Sequence, residues 1–381
     1  MKKIHDFTIQ FDGKTNIYKG GDVLSGMVTL SLRDTLRCDS VIIRFRGSAR
    51  IFWTDSHSKV KGQQNEAQAH RNEKTYYDQK QSLWVYDPNA RPMTPKMQRA
   101  FQQQRRNSDR FKPKLERGNH EWAFRFELPK DIPTSIQAAA GFIEHSVKVM
   151  LMIGDKIEHS RKEYFAVIQP VLLAERQELQ VPVIKIEKCQ TANGLACIRN
   201  TADLLEANVI IDKSGYIPGE PICISLEIDN HSGTQPKYAV TALLQHITCY
   251  ASEPKPASKR ATHEVAQTQV PLQPVPEIEK KWEFKLWIPP IIPSFKEKDV
   301  MEANYELIVK LCSKKKDTLM TLNFPVEIGT VAIDAGTMMR RGSILPSYDS
   351  FGGLTPPSSA DCTSIHTQLS ATYTKDGHFP V

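Results

Sequence analysis

The chain has 381 residues, of which 40% are hydrophobic and 24% are charged, and its formal net charge is +7. This length and composition predict a globular protein with two domains of ordinary size, each able to bury its own core. Since no apolar run reaches the length of about eighteen residues that a membrane span needs, and the first residues do not read as a signal peptide, the sequence predicts a cytoplasmic protein.

The first predicted elements are β-strands, because apolar residues alternate with polar ones at a period of two. Val28, Leu30 and Leu32 form one such run. The segment before them, Tyr18-Lys-Gly-Gly21-Asp22, predicts a turn, since glycine adopts backbone dihedrals that other residues disfavour. Short alternating strands separated by turns are typical of antiparallel sandwiches rather than of βαβ units.

A polar insertion follows these strands, at about residues 57–73 and 88–118. Residues 88–120 carry nine Lys or Arg against Asp109 and Glu116, and this net charge of +7 equals that of the whole chain. With few apolar residues, the insertion predicts a loop on the first sandwich. Its basic side chains are either solvated or contact an anionic membrane surface. The candidate contacts are Arg99, Arg105, Arg106, Arg110, Lys112 and Lys114.

The next segment is a sequence motif that occurs twice. Trp122-Ala-Phe124-Arg-Phe126-Glu-Leu128-Pro129 returns as Trp282-Glu-Phe284-Lys-Leu286-Trp-Ile288-Pro289, at an offset of 160 residues. In each copy the alternation predicts a half-buried strand, and the prolines should end it in an exposed loop, because proline cannot donate to a sheet ladder. The predicted core residues are Trp122, Phe124, Phe126, Trp282, Phe284 and Leu286.

The opening motif is duplicated as well, as Tyr216-Ile-Pro-Gly219-Glu220. The tyrosine and the tryptophan are 104 residues apart in the first copy and 66 in the second, so the first copy carries 38 extra residues. The duplication predicts an all-β chain of two tandem antiparallel, immunoglobulin-like β-sandwiches. We expect a first domain at 1–170 with the insertion at about 57–118, a linker at 171–182, a second domain at 183–332 and a disordered tail at 333–381.

The duplicated motifs resemble those of the arrestin superfamily and, within it, of the arrestin-domain-containing proteins called α-arrestins. The resemblance lies in Tyr216-Ile-Pro218-Gly219-Glu220 and in Gly118-Asn-His120-Glu-Trp122 with the residues that follow it, and it extends from Phe7 to about Ile328. It implies two arrestin-like sandwiches in a non-enzymatic adaptor. Such an adaptor binds cytoplasmic parts of membrane proteins, is recruited to the plasma membrane or endosomes, and selects its cargo for ubiquitination, endocytosis or sorting.

The resemblance also implies a partner for the tail. α-Arrestins recruit HECT-type ubiquitin ligases through Pro-Pro-x-Tyr motifs, which fit the aromatic groove of a WW domain. The nearest segment here, Leu345-Pro346-Ser-Tyr348, has leucine in the first position and is the candidate WW-domain ligand. Upstream, Arg340-Arg341-Gly-Ser343 is typical of basophilic kinase substrates and Thr355-Pro356 of proline-directed ones, so Ser343 and Thr355 are candidate phosphosites.

Other functions are open to a chain with this sequence. An enzyme is not favoured, because the common nucleophile, phosphate-loop and zinc motifs are absent, and seven scattered cysteines lack metal-ligand spacing; the sequence predicts no catalytic residue, metal or cofactor. A structural subunit of an endosomal sorting coat, like the retromer subunit with its arrestin sandwich pair, needs only the sandwich surfaces. A signalling scaffold that binds phosphorylated receptors is a further alternative. Nucleic acid is not favoured, since Phe101 and Phe111 are too few for a stacking platform.

Overall fold

The computed structural model describes residues 3–13, 15–56, 67–86, 113–174, 176–190, 204–232, 234–272, 281–314 and 317–330. Apart from one 3₁₀ turn at Gln177–Leu179, the regular elements in these ranges are β-strands. No helix in these ranges has the length and apolar character to cross a membrane. The predicted all-β class is therefore confirmed.

The first unit is a sandwich of two sheets. Its strands are β1 (Ile4–Phe11), β2 (Ile17–Tyr18), β3 (Val23–Leu32), β4 (Leu36–Arg37), β5 (Ser40–Ser56), β6 (Ala67–Val85), β7 (Lys114–Leu115), β8 (Gly118–Glu127), β9 (Ile136–Ala138), β10 (Gly141–Ile153) and β11 (Lys156–Val167). One sheet has the order β1-β3-β8 and the other β2-β11-β10-β5-β6, with β9 beside β10; β4 pairs with β7. The core between the sheets takes Val28 and Phe126 from the first and Phe45 and Val149 from the second.

The second unit is also a sandwich of two sheets. Its strands are β12 (Val183–Gln190), β13 (Leu204–Ile211), β14 (Gly215–Tyr216), β15 (Pro221–Asn230), β16 (Tyr238–Ala251), β17 (Ala257–Pro271), β18 (Lys281–Trp287), β19 (Phe295–Glu297), β20 (Met301–Lys314) and β21 (Asp317–Ile328). One sheet has the order β12-β13-β15-β18 and the other β14-β21-β20-β16-β17, with β19 beside β20. Ile224 and Leu286 of one sheet meet Leu243 and Val309 of the other in the core.

Packing divides the chain between Gln169 and Pro170. The two units comprise Met1–Gln169 with Cys249–Lys259, and Pro170–Thr248 with Arg260–Val381. The predicted linker, residues 171–182, falls within the second unit in this division. Leu173 and Leu179 are buried there in a small cluster, and Val171 donates its N–H to Thr330 Oγ1 at 2.9 Å. This segment is thus part of the packed structure of the second unit.

The duplicated Tyr-x-x-Gly-acid motif forms the same turn in both units. Gly21 and its counterpart have φ angles of 85° and 91°, in the left-handed region that favours glycine. The acid at the next position accepts a hydrogen bond within the turn. The N–H of Lys19 donates to Asp22 Oδ2 at 2.9 Å, and that of Ile217 donates to Glu220 Oε2 at 3.1 Å. The motif therefore specifies one local structure, used once in each sandwich.

In the first unit, the proline segment that follows the duplicated tryptophan motif is buried, whereas the sequence predicts an exposed loop. Residues 132–136 are all buried there. They lie along the opposite sheet, where Ser135 donates its N–H to the Val167 carbonyl at 2.8 Å and its Oγ accepts from the Val167 N–H at 2.9 Å. Ser294 and Ile328 repeat both bonds in the second unit, at 2.7 and 2.9 Å. Proline ends the strand, but the following serine satisfies the neighbouring backbone groups, which permits burial.

Part of the predicted insertion loop is strand instead. Residues 67–73 belong to β6, which pairs with β5 as far as Ser56 opposite Ala67. Residues 114–118 form β7 and the first residue of β8 along with the connection between them. The alternation in β6 is weak because this outer strand carries polar residues such as Asn72 and Glu73 at successive positions, as outer strands commonly do. Residues 57–66 and 87–112 lie outside the described residues.

The predicted core residues differ in burial. Phe124 and Phe126 are each 5% exposed, and Leu286 is 3% exposed. The half-buried members, which pack against the margins of the two clusters, are Trp122, Trp282 and Phe284. In the first unit the centre of the core is an aromatic pair, since the Phe126 ring stacks on that of Phe45 with centroids 4.4 Å apart.

Candidate functional site

Among the described residues, the smaller sheet of the second unit has one strand more than that of the first. By chain order and by the duplicated turn, β13, β15 and β18 correspond to β1, β3 and β8. β12 pairs with β13 over its whole length, from Val183 opposite Ile211 to Gln190 opposite Leu204. In the part of the chain that the structure describes, no strand lies beside β1 at the equivalent position. β1 is therefore the outer strand of a three-stranded sheet whose counterpart has four strands.

The open edge of β1 has the features of a strand-binding site. Alternate residues of an outer strand point their N–H and C=O groups away from the sheet, so β1 presents backbone donors and acceptors to a partner. Phe7 and Phe11 face inward and pack half-buried against the core, while Thr8 and Gln10 alternate with them on the outward face. An extended segment that pairs with β1 would satisfy its backbone groups as β12 does for β13.

β12 shows what an occupant of this position contacts. Lys185 reaches the opposite sheet, where its Nζ contacts the Asn323 carbonyl and lies 5.3 Å from the centroid of the Phe324 ring. Glu163 of the first unit corresponds to Phe324 of the second unit. The residues that lie opposite them, in β10 and β20, are separated by the same offset as the two copies of the duplicated motif. Glu163 forms an ion pair with Arg161 at 2.6 Å. An occupant of the open edge would thus face a charged pair, which favours a polar or charged side chain.

A second feature of the first unit is a row of four cationic side chains across its larger sheet. Lys148 of β10 lies opposite Lys162 of β11 on one side and Arg44 of β5 on the other, and Arg44 lies opposite Lys80 of β6. The row crosses three strand spacings, about 14 Å. Like charges directly opposite one another destabilise a sheet. The row therefore lowers stability unless anionic groups offset it.

Neighbouring carboxylates offset only part of this charge. Asp78 accepts a hydrogen bond from Arg44 Nε at 2.6 Å, which lowers the pKa of that carboxyl, and Glu144 lies 2.9 Å from Lys162 Nζ. Arg46 points to the same side, and its Nε is buried with no hydrogen-bond partner among the described residues. Five cations against two carboxylates leave three positive charges in excess. We call the five cations the basic face: Arg44, Arg46, Lys80, Lys148 and Lys162.

Most of the predicted site residues lie outside the described residues. Lys114 is described: it lies in β7, and its Nζ is 3.2 Å from a carboxylate oxygen of Glu116, so its charge is paired within the first unit. The other anionic-surface contacts, the WW-domain ligand and the phosphosites stay predictions. These are Arg99, Arg105, Arg106, Arg110, Lys112, Ser343, Leu345, Pro346, Tyr348 and Thr355.

Backbone hydrogen bonds attach the two flanks of the basic insertion to two consecutive residues, Cys38 and Asp39. Tyr86 donates its N–H to the carbonyl of Asp39 at 2.9 Å, and Cys38 donates its N–H to the carbonyl of Pro113 at 3.2 Å. Both flanks therefore lie next to the residues that immediately precede β5. β5 contributes Arg44 and Arg46 to the basic face. The positively charged insertion is therefore attached to the same unit as the basic face.

The open edge and the basic face were not predicted from the sequence. One signal was present, since Arg44 and Arg46 flank Phe45 at a period of two and must point to one side of a strand. The row itself depends on the register of four strands, which no local pattern encodes. Metal chemistry has no candidate in the described ranges, where no group of three or more His, Cys, Asp or Glu side chains could hold an ion.

Comparison with known proteins matches both halves of the chain. Residues 7–174 match the family model "Arrestin (or S-antigen), N-terminal domain", and residues 201–333 match "Arrestin (or S-antigen), C-terminal domain". Similar curated proteins carry related names. Arrestin domain-containing protein 4 of Homo sapiens is 29% identical over 238 residues, which cover 61% of this chain and 54% of that protein.

Two further relatives are more distant in sequence. Arrestin domain-containing protein 1 of Homo sapiens is 25% identical over 247 residues, or 62% of this chain and 52% of that protein. Arrestin domain-containing protein 17 of Caenorhabditis elegans is 22% identical over 243 residues, or 64% of this chain and 51% of that protein. The chain thus spans about half the length of the curated relatives it matches.

Proposed function

This chain belongs to the arrestin family, and from that premise we propose that it is a trafficking adaptor that links cytoplasmic segments of membrane proteins to ubiquitination, endocytosis or sorting. Arrestin-family proteins are generally adaptors without catalytic activity of their own. The observation that carries the proposal is the open edge of β1, at a position where the duplicated unit already holds a strand. Strand addition recognises a partner through its backbone, which lets one adaptor accept segments of different sequence.

The basic face supplies selectivity in this proposal. A cytoplasmic segment with acidic or phosphorylated residues would neutralise its three excess charges, and complementary charge speeds association and rejects basic segments. The same charges, together with those of the insertion, are attracted to the anionic inner leaflet by about 1 kcal/mol for each Lys or Arg near the surface. That attraction suits recruitment from the cytoplasm to the plasma membrane or endosomes.

The test of cargo binding fills the open edge. A second copy of residues 183–203, which contains β12 and the chain that leads from it to β13, is fused ahead of residue 1. A strand tethered in this way has an effective concentration of about a millimolar. We expect proximity labelling of membrane-protein cargo in cells to fall about tenfold or more, because the fused strand occupies the position that cargo needs.

The matched control for this fusion replaces the copied Ile184 and Ile186 with proline, which cannot complete a ladder. Cargo labelling should then equal that of the unmodified chain. The proposal fails if both fusions reduce labelling equally or if neither does.

A Tyr348→Ala arm addresses the ligase: loss of ligase labelling with cargo labelling intact supports a WW-domain ligand at Leu345–Tyr348, whereas unchanged ligase labelling removes that role and favours a coat subunit.

Reversing one charge of the basic face should raise stability while it weakens binding. Lys148→Glu turns two repulsive neighbours, Lys162 and Arg44, into attractive ones, so we expect the free energy of unfolding to rise by about 0.5 kcal/mol. Binding of an acidic peptide at low salt should weaken about tenfold. Urea unfolding and fluorescence anisotropy measure the two effects.

The control for this charge reversal is Lys156→Glu, at the exposed start of β11, which changes the net charge equally without touching the row. It should leave both stability and binding nearly unchanged. If the two variants behave alike, the effect reflects net charge only, and the basic face has no particular role in binding.

A further inference from the structure

β12, the outer strand of the four-stranded sheet, is apolar on its outward face. Ile184 and Ile186 are 58% and 56% exposed. On β1, which is the outer strand of the corresponding sheet in the first unit, the outward residues Thr8 and Gln10 are polar. Outer strands usually carry polar or charged residues, because exposed apolar side chains beside unpaired backbone groups promote pairing with another chain. β12 therefore presents a surface suited to one more strand.

The residue order along the inward face of β12 is complementary to itself. When two copies of the strand pair antiparallel about a two-fold axis at Ile186, Lys185 lies opposite Glu187 and Val183 lies opposite Cys189. The axis produces each of these pairs twice. The result is two pairs of opposite charge and two apolar pairs, both of which stabilise neighbouring strands.

The outward face fits the same register. Ile186 lies opposite its own copy on the axis, and Ile184 lies opposite Lys188, whose aliphatic stem can cover it while its amine stays with Glu206 at 2.7 Å. Moving the axis by one residue places Lys185 opposite Lys185, or Glu187 opposite Glu187. Like charges in directly opposite positions are unfavourable, so charge selects the register centred on Ile186.

We propose that β12 pairs with β12 of a second copy of this chain, which joins two four-stranded sheets into one continuous sheet of eight strands. A second copy is favoured over a cargo strand because the charge and apolar patterns of β12 match their own reversal. One strand pair buries less than the roughly 1,200 Å² of a standard interface. The dimer is therefore weak and forms as the local concentration of the chain rises.

Dimerisation would have a consequence that, unlike the dimer itself, rests on the proposed function. A dimer carries two open β1 edges and two Leu345–Tyr348 segments. Joined sites that engage one target together bind more tightly than either site alone, by factors of about 10² to 10⁴ when the geometry permits. Clustered cargo would thus both concentrate the adaptor and be held by pairs of sites.

The first test uses charge reversal and rescue in the full chain. Sedimentation equilibrium should show a mass that rises with concentration for the unaltered protein. Glu187→Lys places Lys185 opposite a lysine at both ends of the pair, and we expect the association constant to fall about tenfold or more. The double variant Lys185→Glu with Glu187→Lys exchanges the charges and should restore association, while Trp287→Lys, on the opposite outer strand β18, should leave it unchanged.

The second test fixes the register. Ile186→Cys should form a covalent dimer with a short thiol crosslinker, since the two side chains meet on the axis. Ile184→Cys should not, because its copy lies four residues further along, about 13 Å away. Thermal unfolding of each variant checks that the second unit stays folded. A monomer at every concentration, a failed charge rescue, or equal crosslinking at both positions overturns the proposal; if instead Glu187→Lys reduces cargo labelling of a monomeric chain, β12 serves a different partner.

Discussion

Replacing Phe126 with alanine is expected to lower the free energy of unfolding of the first unit by about 3–5 kcal/mol. Phe126 is 5% exposed, its ring stacks on that of Phe45 with centroids 4.4 Å apart, and the Tyr77 ring centroid lies at 5.7 Å. Truncation leaves a cavity between two sheets whose hydrogen-bonded strands cannot close it. Since domains are stable by only about 5–15 kcal/mol, the first unit should be left close to unfolding.

Urea denaturation and limited proteolysis of the full chain measure this loss. Arg125→Ala is the matched control, because it shortens an exposed neighbour on the same strand and should change stability by less than about 0.5 kcal/mol. Leu286→Ala, at the equivalent position of the second core, should destabilise the second unit by about 2–5 kcal/mol. A loss below about 1 kcal/mol for Phe126→Ala would show that Phe45 and Tyr77 repack around the gap.

Acid should destabilise the first unit through a buried histidine. His145 is fully buried, with Nε2 3.0 Å from the Pro133 carbonyl oxygen and Nδ1 3.1 Å from the Tyr77 hydroxyl. Because a carbonyl only accepts, Nε2 carries the proton and donates, and Nδ1 accepts from the Tyr77 O–H. The neutral ring is thus fully hydrogen-bonded. Burial away from water lowers the pKa of His145 to about 4.

Acid lowers stability because the unfolded chain binds a proton at His145 more readily than the folded chain does. An unfolded histidine has a pKa of about 6.5, so between this pH and about 4 the unfolded chain binds a proton at His145 that the folded chain does not. The contribution of neutral His145 to the free energy of unfolding is fully present above pH 6.5 and decreases as the pH falls toward 4. The two pKa values correspond to a loss of roughly 3 kcal/mol, measurable by urea unfolding between pH 7 and 4.

His145→Gln isolates this contribution, since glutamine keeps one donor and one acceptor but does not titrate. All other groups titrate alike in both proteins, so the stability difference between them should shrink by about 2–3 kcal/mol between pH 7 and 4.5. The second unit provides an internal comparison. Tyr305 takes the equivalent position there, and its hydroxyl donates to the Ile292 carbonyl at 2.6 Å. A difference that does not change with pH would mean that folded His145 titrates normally.

Much of the fold could be predicted because its signals are local and occur twice. Alternation at period two predicted the strands, and the repeated motifs predicted two tandem sandwiches in the arrestin family, which the fold and the family matches confirm. Expectations failed where long-range pairing overrides composition. β6 is a strand despite its polar sequence, because it completes β5, and residues 132–136 are buried because Ser135 pairs with the last strand of the unit.

Most strands and the turns at Gly21 and Gly219 follow from the sequence, because they depend on residues a few positions apart, and the duplication is visible because the same motifs occur twice. Strand pairing across the described residues is needed to see that no strand lies beside β1 where β12 lies beside β13, and that Lys162, Lys148, Arg44 and Lys80 share one row. Both features arise from the order and register of strands that are far apart in the chain. Hydrogen-bond pairing between such strands brings their side chains together, and no local pattern specifies that pairing.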